Sequence, residues 1–215
     1  MLTIPRDADQ DIVEISVGAG AQKYKVFASY ISYYCPGLEE AADKDTVFVR
    51  CEDQPIPSFM TLKNVSPSVF RVFLNWLYRQ KITDPKDRLP STIILVQLWV
   101  LGNRVRAPGL QNLAIKGLEG KTFCDSPFGM YDIYDQTSPG DALRRYFIDS
   151  VICRIMPTQA LFNILGNDWQ RIPQESIKDS IIALKTIAST TAAGIKLRPL
   201  KIGDYLVPEA AAVDD

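Results

Sequence analysis

The alternation of apolar and polar positions is most informative over residues 65–82, Val-Ser-Pro-Ser-Val-Phe-Arg-Val-Phe-Leu-Asn-Trp-Leu-Tyr-Arg-Gln-Lys-Ile. Ser66 suits an N-cap and Pro67 the first helical position, so the pattern predicts a helix starting here. Val69, Phe73, Trp76 and Leu77 share one face. Phe70, Leu74 and Tyr78 continue it round the side, and Arg71, Asn75 and Arg79 are left as a polar edge. A helix apolar over most of its circumference belongs in a core. Phe70, Phe73, Trp76 and Leu77 are therefore expected to be its scaffold. The helix should run into a short strand at Lys81-Ile82, closed by Asp84-Pro85.

Upstream, Ile12, Val13, Ile15 and Val17 read as a strand, with Glu14 and Ser16 on its other face. Gly18-Ala19-Gly20 is a turn, and Tyr24, Val26 and Phe27 form a second strand, which makes a hairpin. Residues 28–34 are apolar and aromatic and are read as a short helix broken by Cys35-Pro36-Gly37; a second short helix is read through residues 38–42. Val47-Phe48-Val49 has strand character, but Pro55 and Pro57 make the end of that stretch a loop. Phe59, Met60 and Leu62 are read as a third strand. Downstream, residues 91–103 predict a second buried helix, and Ala107-Pro108 opens an amphipathic one with Leu110, Leu113, Ala114, Gly117 and Leu118 on one face and Gly120 as its stop. Ser138-Pro139 opens a further helix running to Pro157. A short one is read over residues 160–165 and a last one with Ile177, Ile181, Leu184 and Ala188 on one face.

The expected fold class is therefore α+β, a small sheet with a helical cluster followed by an all-helical extension. The expected boundaries are a tail over residues 1–10, a domain over 11–120, a connector over 121–137, the extension over 138–193 and a C-terminal tail over 194–215, disordered at its end.

Composition narrows the chemistry. Among 215 residues, 24 Lys+Arg stand against 25 Asp+Glu, a formal net charge of -1, which gives no electrostatic reason to expect nucleic acid or an anionic membrane. Arg104, Arg106, Lys116, Lys121 and Arg144-Arg145 are read as a solvated face. There is no histidine, which removes the commonest general base and metal ligand together. The four cysteines, Cys35, Cys51, Cys124 and Cys153, form no CxxC pair and read as reduced packing residues. The apolar run over 93–101 falls far short of the roughly 20 residues that span a bilayer. Asp132 with Asp135, and Cys124 with Asp125, could be nominated as catalytic pairs, but neither has an ordered constellation behind it. Gly18-Ala-Gly-Ala lacks the Gly-x-Gly-x-x-Gly spacing. The expectation is a soluble intracellular protein, cytoplasmic or nuclear, that is no enzyme and uses no metal or cofactor.

In this order the residues resemble the BTB/POZ domain, particularly its short fungal type. The resemblance rests on Asp11-Ile-Val-Glu-Ile-Ser-Val, on Tyr24-Lys-Val, on Cys35-Pro36, and above all on Ser66-Pro-Ser-Val-Phe through Asn75-Trp-Leu-Tyr and Lys81-Ile. Residues 98–114 look like the family's last two helices. The likeness covers about residues 11–120, and residues 143–149 and 169–184 look like the helical extension of fungal members. Three departures change what it implies. Phe27-Ala28 stand where the family often has His-Lys, so a charged pocket with Asp11 lacks its base. Only ten residues precede Asp11, which weakens the case for protomer swapping, although Leu2-Thr3-Ile4 could make a short pairing strand. Residues 43–50 show no clear hydrophobic-x-Glu motif of the cullin-binding members, and an insertion runs through Ser58.

What the resemblance implies is a non-catalytic protein-protein interaction module. Two narrower forms stand open: a substrate adaptor of a cullin-based ubiquitin ligase, or a homo- or hetero-oligomerising assembly or transcription-regulatory module with no ligase role. The partners are then proteins, a cullin or another BTB protein among them, with no nucleic acid and no membrane; the oligomeric state is left open. Leu38, Val47 and Phe48 in the variable loop, with Tyr131 and Tyr134 in the connector, are the candidate contact residues, because aromatic and apolar loop residues make good anchors.

Overall fold

Alternation of β-branched with polar residues forms the first strand, β1 (Ile12–Val17): Val13, Ile15 and Val17 are buried on one face, while on the other Glu14 is half-buried and Ser16 is buried as well. β2 (Gln22–Phe27) pairs with it antiparallel, Ile12 opposite Phe27 and Val17 opposite Gln22. The hairpin turn uses left-handed backbone at Gly18 (φ 73) and Ala21 (φ 49). α1 (Ala28–Tyr34) follows β2 without a loop, and β3 (Phe59–Leu62) lies parallel to β1 on its other side. The sheet order is β2-β1-β3. In this computed structural model the described residues are 12–38, 59–83, 86–121, 133–154, 173–190 and 200–209. The architecture is α+β, a small three-stranded sheet with helices.

The chain divides into two compact units, one of residues 1–90 and 101–113, the other of residues 91–100 and 114–215. The first is built on α2 (Pro67–Arg79). The Ser66 hydroxyl accepts the Val69 N–H at 3.3 Å, Pro67 takes the first turn, and Gln80 closes the helix in the left-handed region with its N–H on Trp76 O at 2.7 Å. Val69, Phe70, Val72, Phe73, Trp76 and Leu77 are buried. The ring of Tyr24 on β2 lies 4.9 Å from that of Phe70, which in turn lies 5.3 Å from Phe73. The Pro36-Gly37 break is packed against residues 104–106: Gly37 N–H bonds Val105 O at 3.0 Å, and a Cβ on Gly37 would sit 2.8 Å from Arg106 Cγ and 3.0 Å from Val105 C. Glycine is required by that close approach.

Residues 81–83 differ from the expected short strand. They have no ladder partner; Asn75 Nδ2 donates to Lys81 O at 3.1 Å and Thr83 O at 2.7 Å. A helix side chain satisfies the carbonyls that a neighbouring strand would have taken. Asn75, placed by pattern on a solvated edge, is half-buried for this purpose.

α3 (Thr92–Arg104) and α4 (Pro108–Leu118) each contribute residues to both units. Gly120 follows α4 at φ 77, where the chain turns out of the helix. In the second unit, α5 (Ala142–Arg154) starts three residues after Ser138-Pro139, because Asp141 Oδ2 accepts the Ser138 N–H at 2.7 Å and Asp141 O takes the Arg145 N–H at 3.1 Å. α6 (Gln174–Thr190) and a 3-10 turn (Ile202–Tyr205) complete it. The Tyr205 hydroxyl bonds Asp149 Oδ2 at 2.7 Å, its ring meets Tyr146 edge-on at 5.2 Å, and the Tyr146 hydroxyl donates to Leu118 O at 2.9 Å.

One expectation fails here. Arg144, read with Arg145 as part of a solvated face, is only 4 % exposed; on α6, Ile177 and Ile181 of the apolar face are 45 % and 48 % exposed while Ser176 is buried. The cause is a polar network. The Arg144 guanidinium donates to Glu175 Oε2 at 2.6 Å, to Thr137 Oγ1 at 2.8 Å, to Tyr134 O at 2.7 Å and to Thr137 O, and its carbon sits 4.4 Å above the Tyr134 ring. The Tyr134 hydroxyl bonds Asp179 Oδ2 at 3.1 Å. Glu175, itself largely exposed, and the half-buried Asp179 thus tie α6 to Arg144 and Tyr134 through their carboxylates. The second short helix beyond Leu38, the stretch 43–58, the short helix over 160–165, and most of the connector and both tails lie outside the described residues, as do Asp11 and the pocket expected of it.

Candidate interaction surface

Helical spacing dictates what α1 shows. Ala28 and Ile31, three residues apart, are buried and fix the inner face. Tyr30, Tyr33 and Tyr34 are thereby turned to the sides and outward. Phe27 belongs to the end of β2 and also serves as the N-terminal residue of α1, with extended backbone (φ -68, ψ 128). Its N–H donates to the Tyr78 hydroxyl of α2 at 3.2 Å. In an antiparallel pair a backbone N–H directed away from the partner strand has no ladder acceptor, and here a tyrosine supplies one.

Around that bond the rings form one connected group. Phe27 and Tyr78 meet edge-on at 6.3 Å, Tyr30 and Tyr78 at 4.9 Å, and Phe27 and Tyr30 lie 6.4 Å apart. Tyr34 meets Tyr33 at 4.8 Å and reaches Trp76 in the core at 5.8 Å. Such pairs contribute about 0.5–1.5 kcal/mol each beyond area burial. The group nevertheless faces solvent: Tyr33 is 48 % exposed, Tyr78 39 % and Phe27 37 %, and Ile12, the strand partner of Phe27, is 50 % exposed. Apolar surface presented by rings fixed to a core helix is rigid, so little side-chain entropy remains to be lost on contact.

Electrostatics sharpen the picture. α1 carries no charged residue. Burial raises the Tyr34 hydroxyl above the usual tyrosine value, with Tyr33 and Tyr30 adding to it. Burial also raises Tyr78, partly offset by the N–H of Phe27. Both hydroxyls stay protonated at neutral pH and remain donors. Cys35, at the end of α1, is 1 % exposed and its thiol is pushed far up by burial, so it is a packing residue without nucleophilic character.

The sequence-predicted contacts fall elsewhere. Leu38 is fully buried and Tyr134 is 7 % exposed within the Arg144 network, so neither presents a side chain to a partner. Loop position suggested exposure; packing behind the Gly37 turn and the polar network decided otherwise. Val47, Phe48 and Tyr131 lie outside the described residues. Phe70, Phe73, Trp76 and Leu77 are interior residues of α2. Tyr30, Tyr33 and Tyr78 are not among the contacts expected from sequence. The signal was present in α1 itself, three tyrosines and no charge in seven residues about an Ala28/Ile31 stripe. Helical spacing alone places Tyr78 beside the core face.

Of the nominated catalytic pairs, Asp135 is exposed, while Asp132, Cys124 and Asp125 lie outside the described residues. Among the described residues no group of three His, Cys, Asp or Glu side chains is placed to hold a metal ion, and no helix is long and apolar enough to cross a membrane. No family model matches the chain, and no curated protein matches it.

Proposed function

We propose that the chain is a protein-protein interaction module of the BTB/POZ type, working by non-covalent docking in the cell interior and requiring no metal or cofactor. The observation that carries the reading is the rigid aromatic surface of Phe27, Tyr30, Tyr33 and Tyr78, exposed on one side and braced on the core helix on the other. Tyrosine-rich, rigidly held surface of this kind is favoured anchor material in protein interfaces. The order strand, strand, short helix, strand, long helix and then further helices supports the fold assignment. The quoted Asp11, Ser66-Pro67 and Trp76-Leu-Tyr motifs support it from the sequence side.

Within that reading the module is an adaptor of a cullin-based ubiquitin ligase or an assembly piece that pairs with itself or with another BTB protein. Calorimetric titration with a cullin amino-terminal domain, together with light scattering on the free protein, separates the two. Micromolar or tighter binding makes it a ligase adaptor. A dimer mass without cullin binding makes it an assembly module. A monomer that binds neither a cullin nor another BTB domain contradicts the proposal.

A further inference from the structure

The aromatic surface has a charge pattern that selects its partner. The elements that supply its rings, β2 and the end of α2, also carry exposed basic residues. Lys25 lies on the same outward strand face as Phe27, two residues away, and is exposed; Arg79 follows Tyr78 directly and is exposed in the last turn of α2. Glu14, the strand partner of Lys25, has its carboxylate on Lys23 at 2.7 Å. Lys23 and Glu14 cancel, and Lys25 and Arg79 have no ion-pair partner among the described residues. Among the described residues the uncharged aromatic centre thus has two unpaired basic neighbours, Lys25 and Arg79.

We infer that this surface binds an acidic peptide segment of another protein, one that alternates carboxylates with aromatic or aliphatic anchors. The inference rests on the interaction-module reading and adds the chemistry of the partner. The anchors meet Phe27, Tyr30 and Tyr33, and the carboxylates meet Lys25 and Arg79 in charge-assisted contacts. A second copy of this chain fits the same surface poorly. A two-fold contact places each patch on its own counterpart, so Lys25 and Arg79 of one copy approach the same basic residues of the other, and like charges oppose association. Tyrosine hydroxyls held protonated add donors, which suit carboxylate and carbonyl acceptors alike.

The test is selection of a random dodecapeptide library, displayed on phage, against the full chain, followed by fluorescence anisotropy of the enriched peptides. The expected result is enrichment of Asp and Glu together with Phe, Trp or Leu. Affinity should fall about tenfold or more in Lys25→Glu/Arg79→Glu and in Tyr33→Ser, and should weaken with added salt. Thermal melts of the variants control for folding, since all three side chains are solvent-exposed. Enriched peptides that are basic, or acidic ones whose binding ignores these substitutions, overturn the inference while leaving an interaction module in place. A dimer abolished by Tyr33→Ser also overturns it, because the second copy is then the occupant. No enrichment of any peptide overturns it, and if the protein is also a monomer that binds neither a cullin nor another BTB domain, the module reading falls with it.

Discussion

The two units use their apolar and polar residues in opposite ways. In the first, the interior is apolar and aromatic, α2 is buried along Val69, Phe70, Phe73, Trp76 and Leu77, and the surplus rings reach the surface as a braced patch. In the second, a buried guanidinium holds residues 134 and 137 and α6 together, and isoleucines of α6 are left in solvent. Apolar burial is non-directional, so the first unit follows its hydrophobic pattern. A buried arginine must have its donors satisfied, so in the second unit one residue gathers acceptors from positions 134, 137 and 175.

Substitutions should separate the two modes. The largest loss is expected in the first unit, where Phe73→Ala or Trp76→Ala should cost about 3–5 kcal/mol in denaturant unfolding, because each removes a large buried ring. Arg144→Met keeps much of the volume and leaves the Tyr134 and Thr137 carbonyls without their donor; about 2–3 kcal/mol is expected. An unchanged melting temperature in Arg144→Met would mean that the network does not organise the second unit. At the small end, Ile181→Ser should lie within about 0.5 kcal/mol of wild type, since the side chain is half in solvent. A loss as large as that of a core residue would mean that the apolar face of α6 is packed.

The polar network also has a pH signature. Burial first, then the charge and hydrogen bond of Asp179, raise the Tyr134 hydroxyl well above its ordinary value of 10.0, with Arg144 opposing. The folded state therefore holds the proton more tightly than the unfolded chain. Its contribution is fully present below pH 10 and is lost as pH rises beyond it. Tyr134→Phe should flatten the decline of stability above about pH 10. An alkaline slope identical to wild type would place the titration elsewhere.

The same contrast explains what could be read from the sequence. Ser66-Pro67, the apolar ring of α2 and the alternation in β1 depend on local chemistry and periodicity, and they correspond to observed elements. The tyrosines of α1 were visible as residues, but which of them face water depends on the Ala28/Ile31 stripe and on Tyr78 reaching Phe27 across 51 residues of sequence. Arg144 looked like one of two surface arginines, because its acceptors at 134, 137 and 175 are scattered through the chain. The Lys81-Ile82 pattern resembled a strand, and only the Asn75 side chain reveals why none forms there.

Both units expose apolar residues, the tyrosines in one and the isoleucines of α6 in the other. The most direct test compares Tyr33→Ser with Ile181→Ser in binding an acidic dodecapeptide enriched on the wild-type protein. Tyr33→Ser should lose affinity about tenfold while Ile181→Ser binds as wild type, because rigid aromatic anchors carry the contact. Binding that survives Tyr33→Ser and fails in Ile181→Ser would contradict this and move the docking surface to the helical unit.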